Sequence, residues 1–503
     1  MIPATLAPPA GIVAPNGPRL FAHLRSTTFA RMTLLLVLCC VAIQLLLGAD
    51  PVILALAILS SAAGLAGFRL TGAYHSGGWL SFFFVFGNVI VALVAKTVLG
   101  QPLESNLAAP MDSFLALAIG SSALLIAIVI ALRIPVGRSL FSALEPRLLR
   151  ALSRSTFVLG AIAWGLNRMF QDPGGSHFGG VAVFWNLLLM AVIARTAMLL
   201  ELHEGRRSLD ATLLFILIAC VAMGLMDNQK TEVALPVLAY FATCLFYRGG
   251  ITRAQVVGGA TGLLIMAAII APMIHTFRAL GIQDMPWRER VTFMQRGLQE
   301  LLATKDLTRY QKLAAGEFQG FSNYFGGGSG QVLLGRYSSI QQIDPIIATA
   351  SQRGALGGDV VWAAFPRLLP TFVYPDKPRE IEAYRILVQL GIIDPEGGKY
   401  PTVPLLAQVY AAYGMRGLVV IPFLTFLGFL LVLKKLGWRL YRNVFAIFFF
   451  CVFVVVYTNQ ADMIEYAETA LRTFPLLASL LWLLAHIHRL PVMPRAASPT
   501  LGE

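Results

Sequence analysis

The sequence predicts an all-α polytopic integral membrane protein with about 12 transmembrane helices and one large external segment. Three observations predict it. Hydrophobic residues fill 57% of the 503 positions and charged residues only 13%, where a soluble domain carries roughly 25% charged residues. Mean hydropathy is +0.71. The apolar residues gather in runs of about twenty, the length that crosses a bilayer as a helix. This composition excludes an ordinary cytosolic enzyme, a disordered chain and a disulfide scaffold.

Residues 1–28 are proline-rich and lack an apolar core, so they read as a cytoplasmic tail and not as a cleaved signal peptide. Nine apolar runs follow within 29–276, at 29–48, 51–68, 79–99, 113–132, 155–170, 179–200, 211–226, 233–247 and 255–276. A polar segment spans 277–402. Three more runs, at 415–433, 443–457 and 470–487, lie within 403–488, and 489–503 is a second tail. The stretch 403–413 is expected to begin the tenth span. The five cysteines, Cys39, Cys40, Cys220, Cys244 and Cys451, all fall inside apolar runs, where no oxidising compartment pairs them.

Twelve spans put both termini on one side. That face collects 19 of the 39 Lys and Arg against five acids. Basic loops mark the cytoplasm, so the charge of +13 is a topology signal and not a sign of nucleic-acid binding. The chain is therefore expected in a bacterial inner membrane with both termini cytoplasmic and 277–402 in the periplasm. Ordered loops this long are usually functional. Helical periodicity at 288–303, 331–352 and 379–390 predicts short helices lying on the membrane surface, with Asp344-Pro345 as a kink or break. Glycine runs at 326–330 and 354–359 and the proline-rich 365–378 join them.

Several chemistries lack their signature. No Walker A motif, dinucleotide glycine fingerprint, DxD pair, HExxH or metal-spaced His is present, so no cofactor and no metal are expected. Cations are plentiful. Lys96, Arg168, Lys230, Arg416 and Arg472 fall at outer ends of spans, and Arg278 follows the ninth. Each either snorkels to the interface or joins a ring that binds a diphosphate, for which the guanidinium fork is suited. Arg195, near the cytoplasmic end of its span, reads as snorkelling. The acids Asp462, Glu465 and Glu468 either hold a cation or cap a helix beside Arg472 or Arg416. Cations with carboxylates and no nucleotide motif suit a lipid diphosphate donor arriving from the bilayer.

Three stretches resemble a known family. "GRYSSIQQID" at 335–344, "FPRLLPTFVYPDKP" at 365–378 and "YPTVPLLAQVYAAYGMRGLVVIPFLTFLG" at 400–428 are similar to the C-terminal half of Wzy-type oligosaccharide repeat-unit polymerases. These assemble O-antigens and exopolysaccharides. The matching features are Pro366-Arg367, Lys377-Pro378, and Tyr413-Gly414 with Gly417. "DNQKTEVALPVLAYF" at 227–241 resembles the outer turn before the family's mid-chain span, with Lys230 where Arg is common. The resemblance covers roughly 225–430. It implies the C-type membrane glycosyltransferase architecture, an external active site, and undecaprenyl-diphosphate-linked glycans as donor and acceptor. A chain-length regulator and a flippase of the same pathway are further implied partners.

On that reading fixed cations meet the charge that develops on the departing lipid diphosphate. Arg336 and Arg367 are the leading candidates, and Arg278, Lys377, Lys230 and Arg288 are expected to bind the diphosphate. A carboxylate must take the acceptor proton, and Asp344, Asp359 and Glu317 are the candidates. Tyr337, Tyr374 and Trp362 either stack on sugar faces or sit in an interfacial belt. Three other functions compete. An O-antigen ligase shares the layout but is expected to use an external His, and only His177 and His275 are available outside. A flippase needs cavity-lining charges through the bilayer, and the central thirds of these spans hold almost none. A non-enzymatic export scaffold is the last.

Overall fold

The computed structural model describes residues 26–135, 144–169, 182–227, 230–248, 251–265, 338–362, 365–369, 382–393, 403–454 and 461–488, with scattered positions between them that include Phe141, Tyr324 and Phe325. The described residues are helical with short connections and hold no β-strand. An isolated bridge pairs His75 with Arg439. In chain order the helices are α1 Ser26–Leu46, α2 Pro51–Thr71, α3 Ser76–Val98, α4 Pro110–Arg133, α5 Pro146–Met169, α6 Leu187–Leu202, α7 Ala211–Met226, α8 Lys230–Arg248 and α9 Arg253–Ile265. Within the long polar segment lie α10 Ile340–Arg353 and α11 Glu382–Gln389, and after it come α12 Leu405–Leu436, α13 Val444–Val454 and α14 Met463–Ile487.

A helix stands at each of the twelve apolar runs. Seven helices among the described residues are long and apolar enough to cross a membrane: α1 to α4, α6 with its lead-in from Val183, α12 and α14. Apolar side chains cover the outside as well as the core. Leu46 is 88% exposed on α1 and Met169 79% on α5. A water-soluble surface rarely tolerates such contiguous apolar faces, whereas lipid tails solvate them. The chain is a membrane-embedded helical protein. Its five cysteines are free thiols, and only Cys39 is exposed.

Local sequence explains the helix ends. The Asp50 carboxylate accepts from the Val52 amide at 2.7 Å while Pro51 opens α2, the arrangement that suits a residue lacking an N–H at the first position. Asp210 caps α7 and Asn443 caps α13. Some boundaries differ from the apolar runs. The fifth helix starts at Pro146, because Arg147, Arg150 and Arg154 face outward while Leu149, Leu152 and Ser153 are buried. A stripe of that kind forms helix without raising hydropathy. Arg195 is not merely snorkelling: its guanidinium pairs with Asp210.

Polar contacts between distant loops form two sets at opposite ends of the bundle. At one end the Asp50 amide donates to Glu104 at 3.0 Å, Trp164 Nε1 donates to Asp227 at 2.8 Å, and Arg168 pairs with Asp227. At the other, the Ser76 amide donates to the Trp438 carbonyl at 2.9 Å and the Leu440 amide to Tyr74 at 2.8 Å. There Arg442 meets Glu201 at 2.7 Å, and Lys434 donates to the carbonyls of Ala131 and Ile134, both at 2.7 Å. This second end is the basic one.

The turn between α2 and α3 gives a pH dependence. Burial, and next the Arg439 charge, lower the pKa of His75 to about 4 from its ordinary 6.5. His75 is therefore neutral in the fold, while the unfolded chain protonates it near 6.5. Its contribution to stability is complete above pH 6.5 and is lost as pH falls toward 4. Thermal unfolding of the solubilised protein is expected to weaken across that window, and His75→Gln to flatten that part of the profile. An unchanged profile would remove His75 from the explanation.

Candidate functional site

Two helical pieces, one within the polar segment and one just after it, reach halfway down the bundle. The first is α10. The π-turn Phe86–Ile90 in the middle of α3 sends the Val91 amide to Phe86. The Gly87 carbonyl is left to accept from the Ser339 amide at 3.2 Å. Gly87 is the midpoint of α3, so the start of α10 sits about 16 Å along it. From there α10 rises to the N-terminal end of α4. Pro345 lies inside α10, so of the expected kink or break at Asp344-Pro345 the break does not occur.

The second piece is Leu405–Tyr413. A methyl group on Gly120, midway along α4, would lie 2.6 Å from Leu406 Cδ2. Further on, the Tyr410 hydroxyl is 2.8 Å from Ser351 Oγ, which also donates to Asp112 in the first turn of α4 at 3.3 Å. The segment thus climbs from the middle of α4 to its start. At Gly414 (φ 63, ψ −159) the helix breaks, and Met415–Leu436 runs back to Lys434 at the far end. The stretch 403–413 is a separate climbing segment rather than the top of a straight tenth span.

Breaking a helix orphans carbonyls, which lipid cannot satisfy. Here the glycine-rich 354–358 supplies the donors. The Leu356 amide bonds the Ala411 carbonyl at 2.9 Å and Gly357 bonds Ala412 at 3.0 Å. Such closeness requires small residues: a Cβ on Gly358 would stand 2.7 Å from the Tyr413 hydroxyl oxygen. The backbone at Gly414 is open only to glycine, at a cost of about 1–3 kcal/mol for other residues. Gly414→Ala is expected to lower stability by about 2 kcal/mol; an unfolding midpoint equal to wild type would show that the break relaxes.

Asp344 is fully buried. Its carboxylate accepts from the Ala108 and Ala109 amides at 2.7 and 2.9 Å and from the Ser113 hydroxyl at 2.9 Å. This clamps the residues ahead of α4 and sets a negative charge at its positive end. With its oxygens engaged and no solvent access, Asp344 is a positioning group here and not a free base. Asp359 is exposed and opens the single turn Asp359–Trp362. Trp362 is 61% exposed and stacks on Phe365 with ring centroids 4.7 Å apart. Phe365 belongs to the short turn Phe365–Leu368 that carries Arg367. Lys230 begins α8. Arg336, Glu317, Arg278, Lys377, Arg288, Tyr337 and Tyr374 lie outside the described residues, as does most of 288–303. The third predicted short helix is α11.

The cations at span ends divide. Lys96 is wholly buried. Its ammonium donates to Gln101 Oε1 at 2.9 Å and to Ser105 O and Oγ at 2.9 and 2.8 Å, and lies 4.3 Å from the Tyr324 ring centroid. All three donors are used, so Lys96 holds the α3–α4 loop and leaves the expected cation ring. Tyr324, fully buried, donates to the Leu103 carbonyl at 2.7 Å. Burial first, and then the Glu104 and Asp344 charges, push its pKa well above the usual value. Arg168 is taken by Asp227, and Arg472 by Glu468 at 2.7 Å. Asp462 and Glu465 form a capping box at the start of α14, so those acids cap the helix. Arg416 is exposed and has no ion pair among the described residues. Arg353 places its guanidinium against Gly391, at the C-terminal end of α11, where a cation is favoured. Among the described residues no group of three His, Cys, Asp or Glu could hold a metal ion.

Nothing in the sequence pattern singles out Tyr324 or Gly87, because their roles are close approaches between distant segments. The adjacent glycines 357–358 are the one local signal. No protein-family model, curated protein or solved structure matches this chain.

Proposed function

We propose that this chain is a membrane glycosyltransferase that polymerises undecaprenyl-diphosphate-linked repeat units into O-antigen or exopolysaccharide. The growing glycan moves from its lipid diphosphate to the end of a new lipid-linked repeat, without a metal. The observation that carries the reading is the break at Gly414. It falls on Tyr413-Gly414, the motif through which 400–428 resembles the polymerases, and it is where the climbing segment, the glycine loop and the Asp359–Trp362 turn converge. The Phe365–Leu368 turn bearing Pro366-Arg367 is the next element in the chain.

Twelve spans in the C-type architecture go with this reading. Alternating spans put every loop contact named above between ends on the same face. The basic end is then cytoplasmic, together with both termini, and the Gly414 end faces the periplasm of a bacterial inner membrane. The partners are lipid-linked donor and acceptor, membrane lipid, and a chain-length regulator and flippase of the same pathway. In the mechanism, Arg336 and Arg367 stabilise charge on the departing diphosphate. Arg278, Lys377, Lys230 and Arg288 hold its oxygens. Asp359 or Glu317 takes the acceptor proton, since Asp344 is engaged elsewhere. Tyr337, Tyr374 and Trp362 carry the sugars.

The test is purified full-length protein in vesicles with lipid-linked repeats. A ladder of longer lipid-linked glycans is expected. Transfer onto lipid A core, or unchanged substrate with the protein folded, would overturn the polymerase reading.

A further inference from the structure

We infer that Arg416 grips the phosphate of a lipid headgroup at the bilayer edge of the Gly414 break, beside the exposed Trp362–Phe365 stack. Three independent observations place it there. Arg416 shares one face of α12 with Val419, Val420 and Leu424, which are 62%, 52% and 57% exposed. These residues follow it at i+3, i+4 and i+8, so they form one stripe. A stripe that apolar and that open faces hydrocarbon, and Arg416 stands at its head.

Depth is the second observation. Lys434 is fixed at the opposite end of α12 by the carbonyls of Ala131 and Ile134. Eighteen residues of helix separate it from Arg416, about 27 Å. The hydrocarbon layer is about 30 Å thick. With Lys434 at one boundary, the Arg416 backbone lies about 3 Å inside the other, and its long side chain, leaning toward the helix N-terminus, reaches out to the level of the lipid phosphates.

Availability is the third. Lys96, Arg168 and Arg472 are held by internal partners, whereas Arg416 is exposed with no ion pair among the described residues. A planar fork of N–H donors at that level matches phosphate oxygens. The break two residues earlier leaves Tyr413 against Gly358. This brings the turn of Asp359 and Trp362 next to the same edge, where an amphipathic indole is at home. Soluble phosphate would find the cation but make no use of the apolar stripe below it. The inference therefore commits to a phosphate-headed lipid. It deepens the reading above, which supplies only the identity of that lipid as a polyprenyl diphosphate.

The probe is a photoreactive polyprenyl diphosphate in vesicles containing the full chain, compared with the matching polyprenyl alcohol. The diphosphate is expected to label 413–424 about tenfold more than the alcohol, the factor that one charge-assisted contact supplies. Arg416→Gln should reduce labelling to the alcohol level and Arg416→Lys to an intermediate level. An exposed residue changes without loss of the fold, which unfolding midpoints of the three proteins would verify. Equal labelling by both lipids, or full labelling of Arg416→Gln, overturns the inference. So does loss of labelling to an equimolar amount of inorganic diphosphate, which would mark a site for the free anion. Chain extension is not read in this experiment, so its failure and the failure of the polymerase reading are separate results.

Discussion

Asp344→Ala is expected to lower the stability of the folded chain by about 4 kcal/mol, since three donors lose a charged acceptor worth roughly 1.5–3 kcal/mol each and part of that is recovered by relaxation. The Ala108 and Ala109 amides and the Ser113 hydroxyl sit at the start of α4. The lost carboxylate also faced the positive end of that helix. Asp344→Asn keeps one acceptor oxygen but turns an N–H toward a donor, so it should recover only part of the loss. Denaturant titration of the purified variants reads the effect. A catalytic base would behave differently: both variants would retain wild-type stability and lose turnover. That pattern would sink the clamp and restore Asp344 as the candidate base.

Arg336→Ala and Arg367→Ala are each expected to cut chain extension by about 10²–10³-fold, the loss that follows removal of one positioned donor. Each variant is expected to remain folded in the membrane if the loss is one of chemistry alone. Arg→Lys at either site keeps the charge and loses the fork, so it should retain partial activity. The vesicle assay, run beside an unfolding measurement, separates lost chemistry from lost fold. Normal polymerisation by both alanine variants would mean that the departing diphosphate is stabilised by other groups.

The helices that cross the bilayer were legible in the chain because burial in lipid is a local property. A run of twenty apolar residues commits to helix wherever it lies, and the acids of α14 next to Arg472 already suggested a capped, paired helix end. The Tyr413-Gly414 pair stood out in the sequence, but not the break in the helix that Gly414 makes. The role of Asp344 was not. As sequence, a carboxylate before a proline reads equally as a base or a kink. Its partners lie more than two hundred residues away at the start of α4, and no periodicity encodes them. Lys96 is a parallel case, since a cation near a span end looks the same whether it snorkels outward or turns inward beneath Tyr324.

Composition and periodicity alone thus determined a helical membrane protein with a long polar insertion and a strongly basic end. Only the tertiary structure decided that α10, within the insertion, and Leu405–Tyr413, just after it, reach halfway down the bundle, and which charges are spent on internal contacts. The physical reason is range. Hydropathy acts on each residue through its surroundings, whereas a hydrogen bond to a freed carbonyl at Gly87 or Ala411 exists only once two distant segments have met.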